Sequence, residues 1–368
     1  MSVSRYYYLF IPIPFRPISF TPIFNMRVFY RYLSLTLLCF FLLMWILPHW
    51  RNINYPRMLG PTFKPSIRKT YQIAIENQEP QVLLLGNSVI EFGIDVIQFE
   101  QLTRLKTLKF SPMGSATAYW YLIIKNNTTT VSNPPKYLLI FFLDNLLTTP
   151  DLGVNGPYLP MIDELAGENE TVLLQKAYLN QLDPMAGYLD STLSIFGERQ
   201  SIISRLNNKI KYTLPQLFQN CDKDCLDKAL DTVFSRNSML PDVVQKNPYN
   251  LGKLSGSEWD FHTQVEKSFL PDMIQIARER GINLILVREK NSRAMTIQDE
   301  TPDIRKYFQE MADFLKKEGV PLLDFGHDPA LTMDLFQDEM HFNSQGRTVF
   351  TQLVAESFLS LLNKNKYD

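Results

Sequence analysis

The hydrophobic pattern divides the chain into two unequal regions. Leu33 to Leu47 is apolar on every side apart from Ser34 and Thr36, and Arg31 and Arg51 flank it. Tyr30, Tyr32, Trp45 and Trp50 stand where interfacial aromatics belong. A run of about 20 apolar residues spans a bilayer, so 32–50 predicts one transmembrane anchor. No small-x-small site follows in Ile46-Leu47-Pro48-His49-Trp50, which argues against a cleaved signal peptide. Residues 1–31 form a tail, aromatic and proline-rich before Met26. It reads either as a non-globular extension or as the product of an upstream start, with Met26 as the alternative first residue.

Beyond a stalk at 51–80, strand-like and helix-like patterns alternate. Gln81 to Leu85 is a short apolar run of the kind buried on both faces of a parallel sheet. It ends in Gly86-Asn87-Ser88, and an amphipathic segment follows from Val89 to Leu102. Thr107–Phe110 predicts a second strand, with a helix running to about Lys125, and Lys136–Leu143 a third. After a long interruption, Phe269–Arg280 predicts a helix closed by Gly281. Asn283–Val287 predicts a strand, Asp303–Glu318 a helix, Val320–Leu323 a strand, and Ser344–Leu362 a final helix. Strands separated by helices of these lengths specify an α/β fold. The expected architecture is three layers, with a mostly parallel five-stranded sheet between helices, formed by 81–145 and 261–368. The interruption at 146–260 is too long for a connection and predicts a mostly helical insertion or lid.

Composition narrows the chemistry. A net charge of −1 gives no reason to expect nucleic acid as a partner. Three cysteines exclude a disulfide framework and a zinc-type cluster; Cys221 and Cys225 stand as either a local bridge or two thiols. No cofactor or metal is expected. Charge leaves the membrane orientation open, since Arg5, Arg16, Arg27 and Arg31 precede the anchor and Arg51, Arg57, Lys64, Arg68 and Lys69 follow it.

Ser88 falls at the carboxyl end of a strand and the start of a helix, where open sheets bind ligands and free N–H groups favour negative charge. The plain alternative is a helix N-cap. Near the C-terminus, Asp338 and His341 lie three apart in Gln337-Asp338-Glu339-Met340-His341. That spacing lets a carboxylate hold an imidazole whose other nitrogen faces a nucleophile. Asp324-Phe325-Gly326-His327 has the same spacing, but a loop still follows it before the final helix, so His327 is expected in a local turn contact.

The order of these blocks resembles the SGNH, or GDSL-type, hydrolases over roughly 81–145 and 262–362. Gly86-Asn87-Ser88 is similar to the block whose usual Gly-Asp-Ser carries the nucleophile. Gly114 matches the second block, and Asp338 and His341, followed by Gly346, match the last. The third block departs from Gly-x-Asn-Asp: here it reads Leu143-Asp144-Asn145. The resemblance implies a flavodoxin-like sheet, a Ser88–His341–Asp338 triad, and an oxyanion hole from Ser88, Gly114 and Asn145. It implies acyl transfer on oxygen, to water or to a sugar hydroxyl.

The anchor, stalk and insertion are similar to those of membrane-anchored members that modify envelope or exported polysaccharides. That likeness implies an extracytoplasmic domain, an acyl donor and a glycan acceptor as partners, and in some cases a multi-pass membrane O-acyltransferase beside it. Two other readings stand: a lipase or esterase for small or lipid esters, and a non-catalytic module that kept the fold. Arg288 and Lys290 are expected at the active edge, facing an anionic substrate or solvent. Tyr119, Trp120, Tyr121, Tyr158, Tyr178, Tyr188 and Trp259 are either core residues or platforms for a sugar.

Overall fold

The computed structural model describes residues 26–51, 60, 61, 68–155, 158–167, 170–181, 184–197, 199, 202 and 259–364. Cys221 and Cys225 lie outside them. The chain divides into two units, Met1–Asn54 and Tyr55–Asp368. In the first, helix α1 runs Met26–Arg51. It is longer than the expected 32–50 because Met26–Arg31 continues the helix without belonging to the uniformly apolar run. Its 26 residues correspond to about 39 Å, and it is long and apolar enough to cross a membrane by length and composition.

The second unit is built on a sheet of five strands: β1 (Val82–Leu85), β2 (Thr107–Phe110), β3 (Tyr137–Phe142), β4 (Asn283–Arg288) and β5 (Leu322–Asp324). Their order is β2-β1-β3-β4-β5 and every pair is parallel. This is the doubly wound, flavodoxin-like order. Alternation within each strand assigns its side chains to two cores. Leu83, Leu85, Leu138, Ile140, Leu284 and Leu286 face one, and Val82, Leu84, Leu139, Phe141, Ile285 and Val287 face the other. The first core is covered by α2 (Thr70–Gln78), α5 (Thr117–Ile123) and the helices Leu270–Glu279 and Pro302–Lys317. The second is covered by α3 (Ser88–Gly93), α4 (Val96–Thr103) and the final helix Ser344–Lys364.

Several elements differ from the sequence pattern for identifiable reasons. The segment from Val89 to Leu102 is not one helix. Ile94 is extended, and Asp95 starts α4 by accepting from the Gln98 N–H. The Asp95 N–H itself goes to Thr351 Oγ1 on the final helix, a partner 256 residues away that no local pattern reveals. β5 begins at Leu322 rather than Val320, because the Val320 N–H closes the preceding helix on Leu315 O. The stretch before β1 is not all stalk, since α2 buries Ile75 in the first core. The start of the insertion likewise shares that core: Leu147, Val154, Ile162, Leu165 and Leu173 are fully buried in it.

The register sets up the site. Leu85 lies opposite both Phe110 and Ile140, so the chain leaves β1, β2 and β3 along one edge. Gly86, the 111–116 loop and Asp144-Asn145 all emerge there.

Candidate active site

The turn after β1 is made by Gly86. A Cβ there would lie 2.8 Å from Ile90 Cγ2 and 3.3 Å from Phe141 Cβ, so the turn before Ser88 packs closer than a side chain permits. Asn87, not Ser88, caps α3: its Oδ1 accepts from the Val89 N–H at 3.0 Å. Ser88 is the first helical residue, and its hydroxyl is not needed for capping. Instead Ser88 Oγ lies 2.9 Å from His341 Nε2.

On the far side of the imidazole, Nδ1 lies 2.8 Å from Asp338 Oδ2 and 3.0 Å from Oδ1. Asp338 Oδ1 also accepts the backbone N–H groups of Met340 (2.9 Å) and His341 (3.0 Å). Burial acts to raise the Asp338 carboxyl, but the His341 ring and these backbone donors outweigh it and hold the group below the usual carboxylate range. An ionised Asp338 can only accept, so Nδ1 carries the proton and Nε2 presents a lone pair to Ser88. The Phe92 ring meets the imidazole edge-on at 5.0 Å.

The loop that carries the pair is held from several directions. Phe336 and Phe342 bridge across it, and Gln337 N donates to His341 O. Phe342 stacks on Phe350 of the final helix. Ser292, just past β4, donates to Glu339 O through both its N–H and its hydroxyl. Gly346 is obligatory, because a Cβ there would fall 2.1 Å from Leu335 O.

A polar network couples the Gly86-Asn87-Ser88 turn to the 111–116 loop. Asn87 Nδ2 donates to Ser115 O (3.3 Å), Ser115 Oγ donates to Gly86 O (3.2 Å), and Trp120 Nε1 donates to both Gly86 O and Ser115 Oγ. Gly114, beside Ser115, has φ +71, a conformation glycine adopts without strain. In Leu143-Asp144-Asn145, Asp144 takes the left-handed turn (φ +50), and Asn291 Nδ2 donates to its Oδ2. Asn145 lines the cleft together with Asn87 and Ser88. The cleft measures about 870 Å³, and its other walls come from the 149–155 turn, Tyr158 and Met340.

The structure corrects one expectation about charged residues. Arg288 and Lys290 are both buried. Arg288 pairs with Glu300 and Asp324, and Lys290 Nζ donates to Asp328 O, so neither meets a substrate or solvent. His327 sits in the expected local turn, closed by Asp328 N donating to Phe325 O; its Nε2 lies 3.2 Å from Glu300 Oε1, and the Asp324 carboxylate accepts from Gly326 N. Of the seven aromatics considered as platforms, Tyr119, Trp120, Tyr121, Tyr178 and Trp259 are core residues. Tyr158 lines the cleft.

Sequence reasoning did not find the roles of Asn87, Ser115 and Trp120. Asn at the residue before a helix is a capping signal, but the ties to Ser115 and Trp120 cross between loops and leave no local trace. Among the described residues no cluster of His, Cys, Asp and Glu has the makings of a metal site.

No family model and no curated protein matches the chain. Among solved structures, it aligns with a protein described as lipolytic and of the G-D-S-L family from Desulfitobacterium hafniense at 10% identity and TM-score 0.34, over 75% of this chain and 97% of that one. A GDSL-like lipase from Bacteroides thetaiotaomicron aligns at 11% and 0.34, over 77% and 90%. A protein from Bacteroides fragilis described as an acylhydrolase aligns at 12% and 0.33, over 81% and 91%. At these TM-scores the alignments add no argument, and the functional reading stands on strand order and site geometry.

Proposed function

We propose that the chain is a serine-dependent acyl-transfer enzyme of the SGNH type, acting on oxygen esters. The observation that carries this is the continuous path Ser88 Oγ–His341 Nε2 (2.9 Å) and His341 Nδ1–Asp338 Oδ2 (2.8 Å), assembled from the two ends of the domain. His341 takes the Ser88 proton as Oγ attacks the ester carbonyl, and Asp338 stabilises the imidazolium. The oxyanion is received by the N–H groups of Ser88 and Gly114 and the side chain of Asn145. Collapse breaks the ester C–O bond, and the leaving alcohol departs with the proton from His341. An acceptor hydroxyl then gives its proton to His341 as its oxygen attacks the acyl-serine, and that proton returns to Ser88 Oγ.

The acceptor in this reading is water or a hydroxyl of a cell-envelope or exported polysaccharide. Helix α1 holds the domain at the membrane on the extracytoplasmic side, where a multi-pass O-acyltransferase is a fitting donor partner. The length of α1 supports the anchor, and resemblance to envelope-modifying members supports the side and the substrate.

The test is labelling of purified full-length protein with a fluorophosphonate. The expected result is one adduct, on Ser88, lost in Ser88→Ala and in His341→Ala, together with hydrolysis of p-nitrophenyl acetate. Folded protein that neither labels nor hydrolyses would reduce the site to a scaffold. Transfer of acetyl to an added polysaccharide, above the rate of release to water, distinguishes transferase from esterase. Protease accessibility of the domain in spheroplasts reports its side.

A further inference from the structure

Among the described residues, three that are not glycine take a positive φ: Glu79, Arg104 and Asp144. Glu79 and Arg104 each end a helix, α2 and α4, where a left-handed residue is the ordinary stop. Asp144 ends none. It follows β3, and with Asn145 it forms the centre of a turn closed by Leu146 N donating to Leu143 O at 3.2 Å. A left-handed φ at the first central position of a turn is normally glycine's place. A residue with a Cβ there costs free energy and persists where its surroundings hold it.

Asn291 supplies the hold. Its Nδ2 donates to Asp144 Oδ2 at 3.2 Å, and its own Oδ1 accepts the Arg293 N–H at 3.0 Å, which sets the amide so that the NH2 faces the carboxylate. Asn291 is buried, and Ser292 beside it fully so. Their segment is tied on two sides. Glu289 N donates to Phe142 O at 2.9 Å, continuing the β3–β4 pairing past both strand ends. Ser292 donates to Glu339 O in the loop that carries His341. The turn bearing Asn145 is therefore fixed to the same short segment as the loop bearing His341. Asn145 lines the cleft with Ser88, and a change of φ at Asp144 would swing its side chain away.

Resting on the acyl-transfer reading, we infer that Asn291 is a positioning residue: by anchoring Asp144 in the left-handed conformation, it aims the Asn145 side chain at the oxyanion. It acts through Asn145 and not on the substrate.

The experiment measures kcat and KM for p-nitrophenyl acetate in the full-length protein, with a thermal melt of each variant. Removing one oxyanion donor costs about 100- to 1000-fold in kcat, so Asn291→Ala, which misaims such a donor, is expected to lower kcat about tenfold or more with KM little changed. Asn145→Ala combined with Asn291→Ala should match Asn145→Ala alone within about twofold, because changes that act through one group do not add. Asp144→Gly in the Asn291→Ala background should recover most of the loss, since glycine takes the left-handed turn without an anchor. A side chain that only stabilised the fold would lower the melting temperature and show neither the non-additivity nor the rescue. If Asn291→Ala folds poorly, a reciprocal exchange carries the test. Asn291→Asp alone sets two carboxylates face to face and should lower kcat; adding Asp144→Asn restores the hydrogen bond with its roles reversed and should restore the rate. Wild-type kcat in folded Asn291→Ala, a loss that adds in full to that of Asn145→Ala, or a loss that neither second-site change relieves overturns the inference and leaves the acyl-transfer reading standing. Absence of fluorophosphonate labelling and turnover in the wild type overturns both.

Discussion

Asp338→Asn is the most exacting perturbation of the site, because the structure dictates what the new amide must do. Asp338 Oδ1 receives two backbone N–H groups, from Met340 and His341, and Oδ2 lies 2.8 Å from the imidazole Nδ1. An asparagine has one acceptor oxygen and one NH2. Turning the NH2 toward the loop would set it against two donors, so the oxygen stays there and the NH2 faces Nδ1. His341 must then present a lone pair at Nδ1 and carry its proton on Nε2, pointing at Ser88 Oγ. In that tautomer it cannot accept the serine proton. A wrong tautomer of this kind costs about ten-thousand-fold in kcat, or about 5.4 kcal/mol of barrier. Folding suffers less: a hydrogen bond to a charged group contributes about 1.5–3 kcal/mol, a drop of several degrees in Tm for a domain this large. The variant should also lose one pH dependence. The depressed Asp338 carboxyl stabilises the fold above its unfolded value, and that stabilisation disappears as pH falls through the folded value. The assay pairs p-nitrophenyl acetate turnover with thermal melts on the acid side of neutrality. Turnover within tenfold of wild type, from a variant that melts normally, would refute the tautomer argument.

Four further outcomes are expected. His341→Ala should abolish ester cleavage while His327→Ala, which removes an approach to Glu300 and not to Ser88, keeps most of it; the reverse pattern in the same assay would mean the base is misassigned. Glu289 is buried beside Gly93 with neither carboxyl oxygen hydrogen-bonded, and burial pushes its carboxyl well above the usual range. Its proton stabilises the fold fully below the unfolded value and that contribution is lost as pH rises through the folded one, so Glu289→Gln should flatten the decline of Tm as pH rises above the ordinary carboxylate range. Gly346→Ala must displace Leu335 O from 2.1 Å, and should cost about 1–3 kcal/mol or more and lower kcat by moving the His341 loop, read by melting and turnover together. The full-length chain should partition with membranes and need detergent for extraction, whereas a soluble full-length chain would argue against α1 as an anchor.

Much of this protein is legible in its sequence because the signals are local. Apolar runs of a given length and period identify α1, all five strands and the final helix, since burial on one or both faces imposes that pattern on each segment alone. Ser88, Asp338 and His341 stood out because a turn after a strand and a three-residue spacing are also local features. Tertiary structure decided what depends on partners distant in the chain. Ser88 and His341 are 253 positions apart, and only the parallel register brings the end of β1 beside the loop before the last helix. The capping role passed to Asn87 once the Ser88 hydroxyl met His341. Arg288 and Lys290, charged and therefore expected outside, are inside because Glu300, Asp324 and Asp328 O meet them there. Tyr158 reads in sequence as one aromatic among many. Its place against Gly114 follows from how the insertion packs onto the sheet, which strand and helix periodicities do not encode.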